Sequence, residues 1–167
     1  MRKQITIFAT LAFATVLLQG CNQQNDTAAQ AQKDAVNHEA DIAKAQADGQ
    51  KKVIDAQAKL DQVVAQNNKD VVGAQADAQK DAAANPNAPA NDANVAKAHN
   101  DAENKVADAQ YDVDKAKAEA DRQVADAHCS GQTGAPKDAC VASAKANYDS
   151  AVAAAKAKND AAHAAHP

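Results

Sequence analysis

Three cysteines and five histidines are the side chains of this 167-residue chain best suited to chemistry. Cys129 and Cys140 flank Ser130-Gly131-Gln132-Thr133-Gly134-Ala135-Pro136, a run whose Gly and Pro content reads as a turn between helices. Two thiols bounding such a turn join as a disulfide in an oxidising compartment and stay free in a reducing one. A catalytic dithiol is normally spaced by two residues at a helix start, so this wider spacing speaks against redox catalysis. His163 and His166 lie three apart, where both can face one metal ion. Two ligands make a weak site, so the expectation is no metal, with those two as the only weak candidates. His38, His99 and His128 read as polar helix positions, His99 beside an apolar stripe. No nucleophile–base pair, phosphate loop or metalloprotease helix is present, so neither an enzyme nor a cofactor is expected.

Cys21 is a different case. Arg2 and Lys3 precede an uncharged run from Ile5 to Leu18, which ends in Leu18-Gln19-Gly20-Cys21. The run is about fourteen residues long, suited to a signal segment and too short for a stable transmembrane helix. With its Leu three before the cysteine and its small residue just before it, the tetrapeptide resembles the lipobox of bacterial lipoprotein precursors. Gln19 stands where that family usually has Ala, Ser or Thr. The resemblance covers only the first 21 or so residues. It implies a signal peptide over 1–20, lipid on the Cys21 thiol, cleavage before that residue and acylation of the new amine. Several acyl chains, each adding roughly 0.8 kcal/mol per buried methylene, anchor far better than one. In that family the residue after the cysteine sorts the product, and Asn22, not being Asp, implies the outer membrane.

From Cys21 onward the chain keeps all 22 acids and 16 of the 18 basic residues, a net charge of −6 with no basic patch for nucleic acid. Alanine supplies 44 of these residues, while Val, Ile and Leu supply 15, and Tyr111 and Tyr148 are the only aromatics. Such a chain lacks the large side chains for a sizeable core. It does favour helix, since alanine has the highest intrinsic propensity and Lys, Gln and Glu follow closely.

The elements that must position the cysteines and histidines follow from the breaks. A linker over 21–26 leads to a long helix over 27–84, entered through a capping-box signature, Thr27-x-x-Gln30. A loop over 85–91, rich in Pro and Asn, separates it from a second helix over 92–128, which Asp92 can cap. The turn over 129–136, closed by the disulfide, leads through Pro136 to a third helix over 137–165. Gly49 and Gly73 are places where the first helix could kink or end.

Each helix carries one thin apolar stripe: Ile42, Val53, Leu60, Val64 and Val71 on the first, Val95, Val106, Val113 and Val124 on the second, Val141, Tyr148 and Val152 on the third. Their spacings suit nearly straight helices better than a strict heptad supercoil. Val36, Ile54 and Val72 suggest a second, weaker contact edge, and Tyr111 points away from its stripe, toward the first helix or solvent. One stripe per helix buries itself only against another helix, and short connections favour antiparallel neighbours. The fold class expected is all-α: an elongated antiparallel helical hairpin or slender three-helix bundle, alanine-rich and marginally stable.

The stretch from His128-Cys129-Ser130-Gly131 through Asp138-Ala139-Cys140-Val141 into an Ala/Lys helix resembles a Cys-loop of small, alanine-rich, TolA-like periplasmic envelope proteins. That likeness spans about 30 residues and implies compartment and shape, not an activity. The expected function is a structural spacer or interaction surface of the envelope, lipid-anchored on the periplasmic face of the outer membrane. Its expected partners are the membrane, through lipid, together with envelope proteins or further copies of itself, and no nucleic acid. Two alternatives remain. The Ala/Lys/Asp/Gln composition also looks like late-embryogenesis-abundant stress proteins, disordered until dried or bound. The terminal histidines would suit a weakly metal-binding lipoprotein.

Overall fold

The computed structural model describes residues 25–85 and 91–166, with side chains from residue 28 onward. The expected signal segment over 1–20, the expected lipidation site Cys21, most of the expected 21–26 linker and the centre of the 85–91 loop lie outside the described residues. Two compact units are distinguished, Met1–Asp34 and Ala35–Pro167. In the first, the described residues are helical, and Gln30 Nε2 donates to Asp34 Oδ1 at 3.0 Å, one turn on.

The described residues form three helices and no strand: α1 (Asn25–Ala84), α2 (Asp92–Ser130) and α3 (Ala135–Ala165). The arrangement is all-α and resembles a three-helix bundle. Among the described residues no helix is long and apolar enough to cross a membrane. Helix α1 is already helical at Asn25, ahead of the capping-box residue Thr27, and it runs through both Gly49 and Gly73 without a break. Asn91, not Asp92, stands at the cap position of α2, and its carbonyl accepts from the backbone N–H of Asn94 at 3.2 Å.

The turn at the disulfide is tighter than expected. Helix α2 continues to Ser130, whose hydroxyl donates to the Ala127 carbonyl at 2.7 Å, and α3 already begins at Ala135. Gly134 makes this possible. Its φ of 64° and ψ of −149° lie in a region essentially reserved for glycine. Pro136 follows in the first turn of α3, where its missing N–H costs nothing.

In the second unit α2 packs antiparallel to both other helices. Toward α1, Asn67 meets Ala102, Lys52 meets Glu119, and His38 meets Ser130. Toward α3, Cys129 meets Cys140, Arg122 meets Tyr148, Asp114 meets Lys158, and Asn104 meets His166. This register sets Val113 level with Lys156 to Lys158, about a turn beyond Val152.

The core is thin. Among the described residues Leu60, Ala102, Val113, Ala118, Cys129, Ala144 and Ala155 are its buried apolar members, with Val113 and Cys129 fully enclosed. On α1 the row facing its neighbours passes through Ile42, Gly49, Val53, Leu60, Asn67 and Val71. Val64 turns out 38% exposed, while Val63 is the half-buried member of that pair. The expected second edge is not a contact edge within the described residues: Val36, Ile54 and Val72 are all more than 60% exposed. On α3 the buried row runs through Cys140, Ala144, Tyr148, Val152 and Ala155, which leaves Val141 at its margin.

Candidate functional site

The reactive residues divide between the two ends of α3. At its start, Cys129 and Cys140 are joined by a disulfide across a Cα separation of 5.6 Å. Cys129 is fully buried in the last turn of α2, and Cys140 lies in the second turn of α3 rather than at its tip. His38 of α1 covers this corner. Its Nδ1 is 3.3 Å from the Ser130 hydroxyl, and its ring lies so close to Gly131 that a Cβ there would stand 2.6 Å from Nε2. A side chain at 131 would have to push the His38 imidazole aside. Sequence reading took His38 for a plain polar helix position, because a contact 92 residues away in the chain leaves no local trace.

At the other end of α3 the two terminal histidines do not converge. His163 Nε2 meets Asp108 Oδ1 at 2.8 Å, whereas His166 Nδ1 meets Glu103 Oε2 at 2.7 Å. Each imidazole therefore has its own carboxylate on α2. Asn159 Nδ2 also donates to Asp108 Oδ1, at 3.1 Å, and Asn104 Nδ2 donates to the His166 carbonyl at 2.8 Å. The hydrogen bond from His163 holds the Asp108 carboxyl below its ordinary value, helped by Asn159 and by the imidazolium charge, against a smaller opposing effect of burial. Among the described residues no group of three or more His, Cys, Asp or Glu is arranged to hold a metal ion.

The His166–Glu103 pair borders a groove of about 570 Å³ where the three helices meet. Val64, Val71, Ala102, Val106 and Ala162 supply its apolar surface, and His99, Glu103 and His166 stand at its rim. Asn67 lies deepest, 4% exposed, and donates from Nδ2 to the Ala102 carbonyl at 2.7 Å. Buried polar groups are costly unless bonded, so this contact ties α1 and α2 into one register.

Tyr148 lies under the Arg122 guanidinium, 5.3 Å from the ring centroid, between α3 and α2. Tyr111 is half-buried, and its hydroxyl is near enough to Lys156 to favour the lysine's charge. The Lys156 ammonium is held above its ordinary value chiefly by its hydrogen bond to Asp160. Among the surface ion pairs, Lys97–Asp101 and Arg122–Asp126 are four apart along α2 and help solvate it, each with the cation first, the weaker of the two orders.

No protein-family model, no curated protein and no solved structure matches this chain.

Proposed function

We propose that this protein is a lipoprotein of the bacterial envelope, held in the outer membrane by acyl chains on Cys21 and acting in the periplasm as a helical spacer or interaction surface. The observation that carries this reading is the tetrapeptide Leu18-Gln19-Gly20-Cys21, set behind two basic residues and an uncharged run. A disulfide between Cys129 and Cys140 agrees with an oxidising compartment. The work assigned to the chain is mechanical and recognitional, without catalysis or cofactor. Its partners are the membrane, through lipid, and envelope proteins or further copies of itself. The stress-protein alternative rests on composition alone.

Cys21→Ala tests the anchor, and Asn22→Asp tests its address. In a Gram-negative host the Cys21→Ala chain is expected to stay full-length and unacylated. The Asn22→Asp chain is expected to move substantially to the inner membrane. A Cys21→Ala chain that matures to the ordinary size and still sediments with membranes would overturn the lipoprotein reading.

A further inference from the structure

Helix α1 carries two apolar lines, and among the described residues only one is used within the chain. The line through Gly49, Val53, Leu60 and Val71 faces the neighbouring helices. The other runs through Val36, Ile54 and Val72, all exposed. Eighteen residues separate each of these from the next, which is five whole turns of helix, so the three stand on one straight line about 27 Å apart. Ala43, Ala47 and Ala65 lie within about 20° of it and are exposed as well. A lone exposed valine is ordinary. What sets this line apart is its symmetry: Val36 and Val72 are equidistant from Ile54, so the large side chains read the same from either end. A two-fold interface between copies requires that property, because one patch serves on both sides.

We propose that this outer line of α1 is a self-association surface, on which a second copy of the chain docks antiparallel with its Ile54 against Ile54. This deepens the interaction-surface part of the function proposed above and rests on that part, not on the lipid anchor. In this register Val36 of each copy meets Val72 of the other, and Ala43 meets Ala65. Val64 and Val72 also line the groove shared by the three helices, so Val36 of the second copy is set beside its apolar wall.

Charge decides the direction. Lys51 and Asp55 lie on the same side of the line, and among the described residues neither has an ion-pair partner. Antiparallel docking about Ile54 brings Lys51 of each copy close to the level of Asp55 of the other, an alternating quartet of charges. Asp61, the acid nearest the line, then faces Ala47. A parallel pair would gain Glu39 against Lys44 but would press Asp61 against its own copy. Exposed ion pairs contribute little, whereas like charges held together in a seam oppose it, so the antiparallel register is favoured. From Val36 to Val72 the line spans about 54 Å, and a strip about 10 Å wide along it covers on the order of 500 Å² per copy. The total of about 1,000 Å² is at the lower end for a specific interface, so the pair forms weakly and depends on concentration.

Disulfide cross-linking of the full chain carrying Cys21→Ala, purified in detergent, tests surface and direction together. The Cys129–Cys140 bond leaves the introduced thiols as the free ones. At high protein concentration a mixture of Val36→Cys and Val72→Cys chains is expected to give roughly fivefold more cross-linked dimer than either variant alone, since facing positions of close helices are within disulfide reach. Ile54→Cys should cross-link by itself. Adding Ile54→Lys, a change at an exposed position, to both chains of the mixture should cut its product roughly tenfold. Val36→Cys that cross-links as well alone as in the mixture would overturn the proposal. So would a mixed product that survives Ile54→Lys, or no product at all. None of these outcomes depends on cleavage or acylation at Cys21, so the anchor stands or falls separately.

Discussion

Gly49 of α1 sits directly against Ala120 of α2: a Cβ built on the glycine would stand 2.8 Å from the Ala120 Cβ and 3.1 Å from its Cα. The helices approach this closely because one partner has no side chain and the other has one methyl. For an alanine-rich pair, close approach replaces the large side chains that the sequence lacks.

Gly49→Ala is therefore expected to destabilise, by about 1–3 kcal/mol, since Ala120 cannot yield without moving its backbone. Gly73, on the same helix, has open space around the missing Cβ. There alanine should stabilise by roughly 0.5–1 kcal/mol through helix propensity. Thermal melts of the two variants should shift in opposite directions. A stabilising Gly49→Ala would mean that the two helices do not meet at this point.

Asn67 makes a second prediction. Asn67→Ala removes a buried, interhelical hydrogen bond and should cost about 1–3 kcal/mol. Asn67→Asp should cost more, because a buried carboxylate would face the Ala102 carbonyl without a proton to share. Chemical denaturation of the three proteins gives the ranking. If Asn67→Asp unfolds at the same denaturant concentration as the parent, the residue is not buried as described.

Reducing the Cys129–Cys140 bond, which spans 11 residues, should remove on the order of 3 kcal/mol in the chain-entropy view. Each valine in the seams contributes at most about 1.5–3 kcal/mol before entropy is subtracted. The bond is thus comparable to the net pairing energy of α2 and α3. Its loss should lower the melting temperature markedly and expose α3 to proteases first. An unchanged melt after reduction would show that the seam holds without it.

Asp108 gives a pH prediction with a definite sign. Its carboxyl is held below its ordinary value in the folded chain, so its contribution is complete above the unfolded-state value near 3.8 and is lost as the pH falls through the lower, folded value. Acid unfolding of Asp108→Asn should accordingly be less steep below pH 4 than that of the parent. Superimposable acid-unfolding curves would contradict the Asp108–His163 contact.

The helices, their antiparallel pairing and the cysteine corner were legible because they follow from composition and from Gly, Pro and Cys punctuation. Leu60 and Val113 could be placed in the seams from their spacing. Ala144 and Ala155 could not, since alanine occupies every face of these helices and carries no directional signal. Asn67 was missed as a polar gap in an apolar row, although it lies seven residues after Leu60 and four before Val71, on the buried line itself. Val64 was assigned to that line but lies at its edge, because the seam passes nearer Val63. His163 and His166 share a turn, yet their partners are set by α2, where Glu103 and Asp108 stand five residues apart. Spacing within one helix says nothing about the register of its neighbour.

The most direct test of the envelope reading is the mass of the N-terminal peptide of the protein extracted with detergent from bacterial membranes. The account predicts that this peptide begins at Cys21, lacks residues 1–20, and carries a diacylglyceryl group on the thiol with a further acyl chain on the amine. A mature protein with an unmodified Cys21, or one that retains Arg2 and Lys3 in a soluble fraction, would contradict it.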